Sequence, residues 1–171
     1  MCHNVGNNII HNELNIQNVN LEYGNWYDIE EDTIGKYDGI ISFQTLSWLP
    51  GYKEEIKCLS EYNANWIAMS SLFFEGDIDF DIVVKEYNRN DTNAEYRKSY
   101  YNVYSLQRIK EEFYKYGYKN FNYKKFDIDV YIPIKSKSSM CTYTIKTVDG
   151  NRIQISGALL MPWYFILAYK L

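Results

Sequence analysis

Tyr37-Asp38-Gly39-Ile40-Ile41-Ser42-Phe43 is followed, after Pro50-Gly51, by Tyr52–Tyr62 and then by Asn65-Trp66-Ile67-Ala68-Met69-Ser70-Ser71-Leu72. The first run is apolar without alternation, which predicts a strand buried on both faces of a parallel sheet. Tyr52, Ile56, Leu59 and Tyr62 fall on one side at helical spacing, so the middle segment predicts a helix. The third run is apolar again and predicts a second buried strand. Strand, helix and strand within about 35 residues make a βαβ unit, whose crossover is expected to be right-handed.

Downstream, Ile78, Phe80 and Ile82 alternate with Asp77, Asp79 and Asp81, an extended piece with one wet face, and Asn88–Asn93 reads as polar loop. Ser105 is a good N-cap for a helix over Leu106–Tyr116, with Leu106, Ile109, Phe113 and Tyr116 as its apolar stripe. Glu111 stands four residues before Lys115, and Gly117 sits where a C′ glycine belongs. Tyr118–Asp127 is strand-like. Thr142–Val148 and Arg152–Ser156 flank Asp149-Gly150, a hairpin signal because that turn needs positive φ. Trp163–Lys170 reads as a terminal strand. Upstream, Val19, Leu21 and Tyr23 alternate within Asn18–Tyr23, a strand signature ended by Gly24, and Ile29–Lys36 is an acidic loop. The expected organisation is a weakly ordered lead-in over 1–17 and an α/β domain with an antiparallel end over 18–171, carrying an insert at 73–104 and a hairpin at 142–156.

The 171 residues leave room for one core, and 46% hydrophobic with 23% charged residues excludes a disordered tail, a collagen-like repeat or a coiled-coil rod. A net charge of −4 with scattered lysines argues against nucleic acid as the main partner. The longest apolar run, Ala158–Ala168, is broken by Pro162 and too short to cross a bilayer. No basic segment followed by an apolar one opens the chain, so a cytoplasmic protein is expected. Cys2, Cys58 and Cys141 form no CxxC pair and imply neither a disulfide framework nor a zinc site. An EF-hand reading of Asp77-Ile78-Asp79-Phe80-Asp81 fails, since Ile82 and Asn88 stand where Gly and Glu are required. No metal is expected. His3 and His11 are the only histidines, which leaves a Ser-His or Cys-His hydrolase without support, and no catalytic residue is assigned.

The stretch Tyr37–Leu49 (YDGIISFQTLSWL) resembles the fourth-strand motif of class I S-adenosylmethionine-dependent methyltransferases, an aromatic-Asp pair followed by a strand and a loop that faces the methyl donor. Asn18–Trp26 is similar to the third strand and its turn, Asn65–Leu72 to the fifth strand, Ser105–Gly117 to the following helix, Tyr118–Asp127 to the sixth strand and Trp163–Lys170 to the closing antiparallel seventh. The resemblance implies a Rossmann-like sheet, mostly parallel with an antiparallel C-terminal strand. It implies S-adenosylmethionine as cofactor and methyl transfer to a small polar acceptor.

On that resemblance Asn25 stands where the family offers an acidic residue to the adenine amine, and Trp26 beside it offers a stacking face. Ser42, Phe43, Gln44 and Leu46 are expected to touch the donor, and Trp48, Tyr100, Tyr101 and Tyr104 to form a substrate lid. Such tyrosines suit a sugar, whose ring stacks on aromatic faces. The family's glycine-rich first motif is absent, and so is the second strand whose acidic end grips the ribose. The domain is therefore expected to be N-terminally incomplete: truncated, completed by residues 1–17, or completed by a second chain. The alternative function is a non-catalytic methyltransferase-like module that pairs through an open sheet edge, for instance as a homodimer. A carbohydrate-binding module is the third.

Overall fold

A computed structural model describes residues 2–25, 27–87, 96–135 and 140–170. Its elements are α1 (Cys2–Asn8), β1 (Gly39–Phe43), α2 (Lys53–Glu61), β2 (Trp66–Phe74), β3 (Val83–Glu86), β4 (Arg97–Tyr100), β5 (Tyr104–Ser105), α3 (Leu106–Lys115), β6 (Asn120–Lys125), β7 (Thr142–Lys146), β8 (Arg152–Ser156), β9 (Leu159–Leu160) and β10 (Trp163–Tyr169). The fold is mixed α/β. No helix among the described residues is long and apolar enough to cross a membrane.

The main sheet runs β1-β2-β10-β6, with β5 beside β2 beyond the end of β1. β2 is parallel to β1 and to β5, but β10 is antiparallel to both β2 and β6. The sheet is thus mixed, and the strand that runs against its neighbours is the C-terminal one. The β3–β4 ribbon and the β7-β8-β9 sheet are antiparallel as well. The physical reason lies in the connections. The crossovers through α2, out to β5 and through α3 each bring the chain back in the same direction, so β1, β2, β5 and β6 run alike, whereas β10 follows directly from the β7–β9 sheet and runs back along β2.

Both long helices lie on one face. Ile56 and Leu59 of α2, Leu106, Ile109 and Phe113 of α3, and Ile67, Met69, Phe73, Ile166 and Ala168 of the sheet form one buried cluster, completed by Tyr104, Tyr118 and Tyr164. α3 starts where expected, with Ser105 Oγ accepting from the Arg108 N–H, and stops at Gly117, whose φ is +89°. Lys115 pairs with Glu112 at 2.7 Å rather than with Glu111, which turns instead to Arg108 and Gln107. The hairpin turn is also as read, with Gly150 at φ +90° between β7 and β8.

Two sequence expectations fail. β1 is not buried on both faces: Ile41 is 61% and Phe43 56% exposed, because α2 and α3 both cover the Ile40 side and no described element covers the other. Asn18–Tyr23 is not a strand. The Asn7 side chain donates to Leu21 O and accepts from Leu21 N, while His11 Nε2 bonds Val19 O at 2.7 Å, so α1 and the π-turn after it (Ile9–Glu13) take the backbone groups a ladder would need. The lead-in carries one short helix, α1. At the start of β1, Gly39 lies opposite Trp66, and a Cβ there would run into the indole.

Candidate functional site

The carboxyl end of β1 is shaped by one strained residue. Gln44 has φ +58°, the left-handed region that β-carbon crowding disfavours for any residue but glycine. Its N–H still donates to Ser70 O at 2.8 Å, so the chain leaves the sheet abruptly without losing that bond. Leu46 then drops into the core at 1% exposure, and Ser47 follows, fully buried. The Ser47 and Ser71 hydroxyls bond each other, Ser47 N donates to Ser71 Oγ, and Leu72 N donates to Ser47 Oγ at 2.9 Å. Ser47 therefore carries the ladder of β2 across the gap between β1 and β5. Asn102, 1% exposed, ties the outer side of the loop: its N–H donates to Ser47 O, its amide to Leu49 O and Tyr104 Oη, and its Oδ1 accepts from Ile82 N.

Two hollows open beside this loop. The first, about 320 Å³, is lined by Phe43, Gln44, Ser70, Phe126, Gln154, Trp163, Tyr164 and Phe165. Phe165 stands at its centre with Phe43 edge-on at 6.3 Å and Phe126 edge-on at 5.8 Å, at 77° and 89°. The three rings line the hollow together as an aromatic box in which Phe165 touches both of the others. The second hollow, about 110 Å³, shares Phe126, Gln154 and Trp163 with the first and adds Lys125, Asp127 and Arg152 at its rim. Beneath both, Leu72, Val103, Met161 and Trp163 form a small second core, against which Tyr101 packs.

The structure brings Phe43 and Gln44 together in the first hollow. Trp48, 54% exposed, stacks on Tyr101 at 5.9 Å on the other side of the same loop. Tyr100 sits at the end of β4 with Lys98 Nζ 4.9 Å from its ring. Ser42 lies with Ile40 on the helix-covered face, opposite to Phe43. Leu46 and Tyr104 are core residues. Tyr104 is 2% exposed, packs edge-on against Tyr52 at 4.9 Å, and has its hydroxyl engaged by Asn102 and Leu49, so it faces no solvent-borne substrate. Asn25 caps its own turn, accepting from Tyr27 N and Asp28 N, while Tyr27 Oη donates to Glu55 of α2 at 2.8 Å. Trp26 lies outside the described residues.

Phe126, Gln154, Trp163 and Phe165 were not singled out from sequence. The only signal for Phe165 was its alternation with Tyr164 and Ile166 on the terminal strand, and Gln154 lay inside a hairpin read for its turn alone.

No cysteine or histidine lines either hollow, and Ser70 is the one serine there. Cys58 is 5% exposed on α2, where burial and then Glu54 push its thiol pKa up. The Tyr164 hydroxyl donates to Glu75 Oε1 at 3.0 Å, and burial followed by that bond raises its pKa to about 12. Among the described residues no group of three His, Cys, Asp or Glu is placed to hold a metal. Asp77 and Asp79 are used structurally, by Arg108 at 2.7 Å and by Ser105 N at 2.7 Å. What remains is binding by aromatic faces and carboxamides.

The strain at Gln44 has a measurable consequence. Gln44→Gly is expected to keep or raise stability by up to about 1 kcal/mol, because the left-handed penalty outweighs the added unfolded-state freedom. Chemical denaturation checks it, and a loss beyond about 1 kcal/mol would mean the Gln44 side chain itself holds the loop. Comparison with protein-family models and with curated proteins finds no match to this chain.

Proposed function

We propose that the box of Phe43, Phe165 and Phe126 holds the methylsulfonium of S-adenosylmethionine, and that the chain is a methyltransferase-like protein acting on a small polar acceptor. The observation that carries the reading is the box itself, set beside a strained residue at the carboxyl end of a parallel strand. Aromatic faces attract a cation whose charge is spread over methyl and methylene groups. Ligands of α/β sheets bind beyond the carboxyl ends of strands. The reading is supported further by the strand–helix–strand unit of β1, α2 and β2 and by a closing strand, β10, that runs antiparallel.

The residues fit part of that group. The box suits the sulfonium and the Gln44 carboxamide suits a polar edge, whereas no glycine-rich turn in the sequence cradles the carboxypropyl end. When bound, the group supplies an activated methyl. The protein's own contribution is positional: the rings fix the cation, exclude water from its flanks and leave Gln154 and Trp163 on the open side. Titration calorimetry with S-adenosylmethionine and S-adenosylhomocysteine tests the reading. Millimolar binding of the sulfonium form is expected, weakened about ten-fold in Phe43→Ala and weaker for the neutral thioether. No heat with either ligand would sink it.

A second reading has its own observation. The outer edge of β1 has no partner among the described residues, and β1 bears no charge to guard it. In this reading the chain is a non-catalytic module, and a second copy pairs on β1. Sedimentation is expected to show a dimer that Ile41→Lys abolishes, and a monomer at high concentration refutes it.

A further inference from the structure

Trp163 raises a question that the box does not answer. It is 8% exposed, and its indole Nε1 is buried with no hydrogen-bond partner among the described residues. A buried donor left unmade costs about 1–3 kcal/mol, so such groups in a native chain need an account. The same residue lines both hollows, together with Gln154 and Phe126. Its neighbours on the protein side are apolar: Leu72, Val103 and Met161.

We propose that the smaller hollow is a subsite for a neutral hexopyranose, one hydroxyl of which accepts from Trp163 Nε1 and bonds the Gln154 carboxamide while the ring lies against Phe126. The hollow's 110 Å³ takes the hydroxyl-bearing edge of a sugar and leaves the rest of the ring at the open rim. The chemistry of the lining fits hydroxyls. A carboxamide both donates and accepts, as a hydroxyl does, and an indole N–H donates only. Phe126 is 42% exposed, and its apolar surface matches the C–H face of a pyranose.

The rim charges are already engaged with protein groups. Lys125 lies 4.0 Å from Asp127, and the Arg152 guanidinium sits 5.3 Å from the centre of the Tyr131 ring. Nε1 is buried, so contact with it requires the side chains that line the hollow to shift. The inference rests on the methyltransferase reading only in making this ligand the acceptor. The binding stands apart from it.

Saturation-transfer NMR on the full chain, without any methyl donor, tests the subsite. The probes are methyl glycosides of glucose, galactose and mannose, with glucose 1-phosphate and adenosine as separate arms. Transfer to the ring protons of at least one methyl glycoside is expected at tens of millimolar. Its affinity is expected to fall about ten-fold in Trp163→Phe, which keeps the ring and removes the N–H, and by a similar factor in Gln154→Ala. A thermal melt of each variant separates lost binding from lost fold. No transfer to any glycoside overturns the proposal, as does an affinity unchanged in both variants. Tighter binding of the phosphate replaces the neutral ligand by an anionic one, and binding of adenosine alone assigns both hollows to a nucleoside. Sugar binding without sulfonium binding defeats the methyl-donor reading and leaves the subsite intact.

Discussion

Raising the pH from 10 to 12 is expected to unfold the protein cooperatively. Four tyrosines carry the effect. Tyr52, Tyr118 and Tyr164 are pushed up to about 12, each chiefly by burial, and burial drives Tyr104 higher still. All four lie in the main core, between 0% and 8% exposed. In the unfolded chain they lose protons near 10.0, so between 10 and 12 the unfolded state binds fewer protons than the folded one. The sign follows directly. These groups contribute nothing against folding below pH 10, and stability falls as the pH climbs through the window. Each group acts with a slope approaching about 1.4 kcal/mol per pH unit, and four together remove up to about 11 kcal/mol within two units, of the order of the roughly 5–15 kcal/mol of an ordinary domain. Circular dichroism and tyrosinate absorbance, followed together, check it. The phenolates of the core are expected to appear with the loss of structure rather than before it. In Tyr118→Phe, which keeps the ring but gives up the 2.9 Å bond to Ala64 O, the alkaline fall should be shallower even if the starting stability is lower. A titration that proceeds with structure intact would refute the argument.

The same burial explains what could be read from sequence. α2, α3, β2 and β10 were legible because each presents a continuous apolar stripe or run to one core, and Ile56, Leu59, Ile109, Phe113, Ile67 and Ile166 meet there. The hairpin was legible because Asp149-Gly150 encodes its own backbone conformation. What failed were elements whose fate depends on a neighbour. Ile41 and Phe43 look like any buried strand residues, and only the absence of a covering layer leaves them exposed. Val19 and Leu21 alternate like a strand, but Asn7 and His11 claimed their backbone. The site follows the same division. Phe43 and Gln44, which line the first hollow, lie where a local motif ends. Phe126, Gln154, Trp163 and Phe165 come from three separate segments, and no local pattern announces that they converge. Tyr104 shows the reverse error: a tyrosine near a lid is indistinguishable in sequence from one that plugs the core.

Asn102→Ala is expected to remove about 3 kcal/mol, near the top of what single substitutions do. The residue is fully enclosed, and its side chain joins Ile82 N to Leu49 O and Tyr104 Oη, which also bond each other at 3.3 Å. Removing the amide takes the 2.8 Å acceptor from the buried Ile82 N and the 3.0 Å bond from Leu49 O, to which only the Tyr104 hydroxyl then donates among the described residues, at 3.3 Å, and it removes buried side-chain volume. In thermal terms the loss corresponds to a fall of about 10 °C for a chain of this size. The consequence for the site is separable from the loss of stability. Leu49 ends the loop that begins at Gln44, and Asn102 N still holds Ser47 O through the backbone in the variant. The turn at Ser47 is therefore expected to persist while the Trp48–Tyr101 stack, which depends on Leu49 and Ile82 being held together, loosens. Fluorescence of Trp48 reads this, with Trp48→Phe used to assign its signal among the four tryptophans. A red shift in Asn102→Ala well below its melting temperature is the expected result. An unshifted spectrum with the full stability loss would show that Asn102 serves the core alone, and that the loop beside the hollows is held by Ser47 and Ser71.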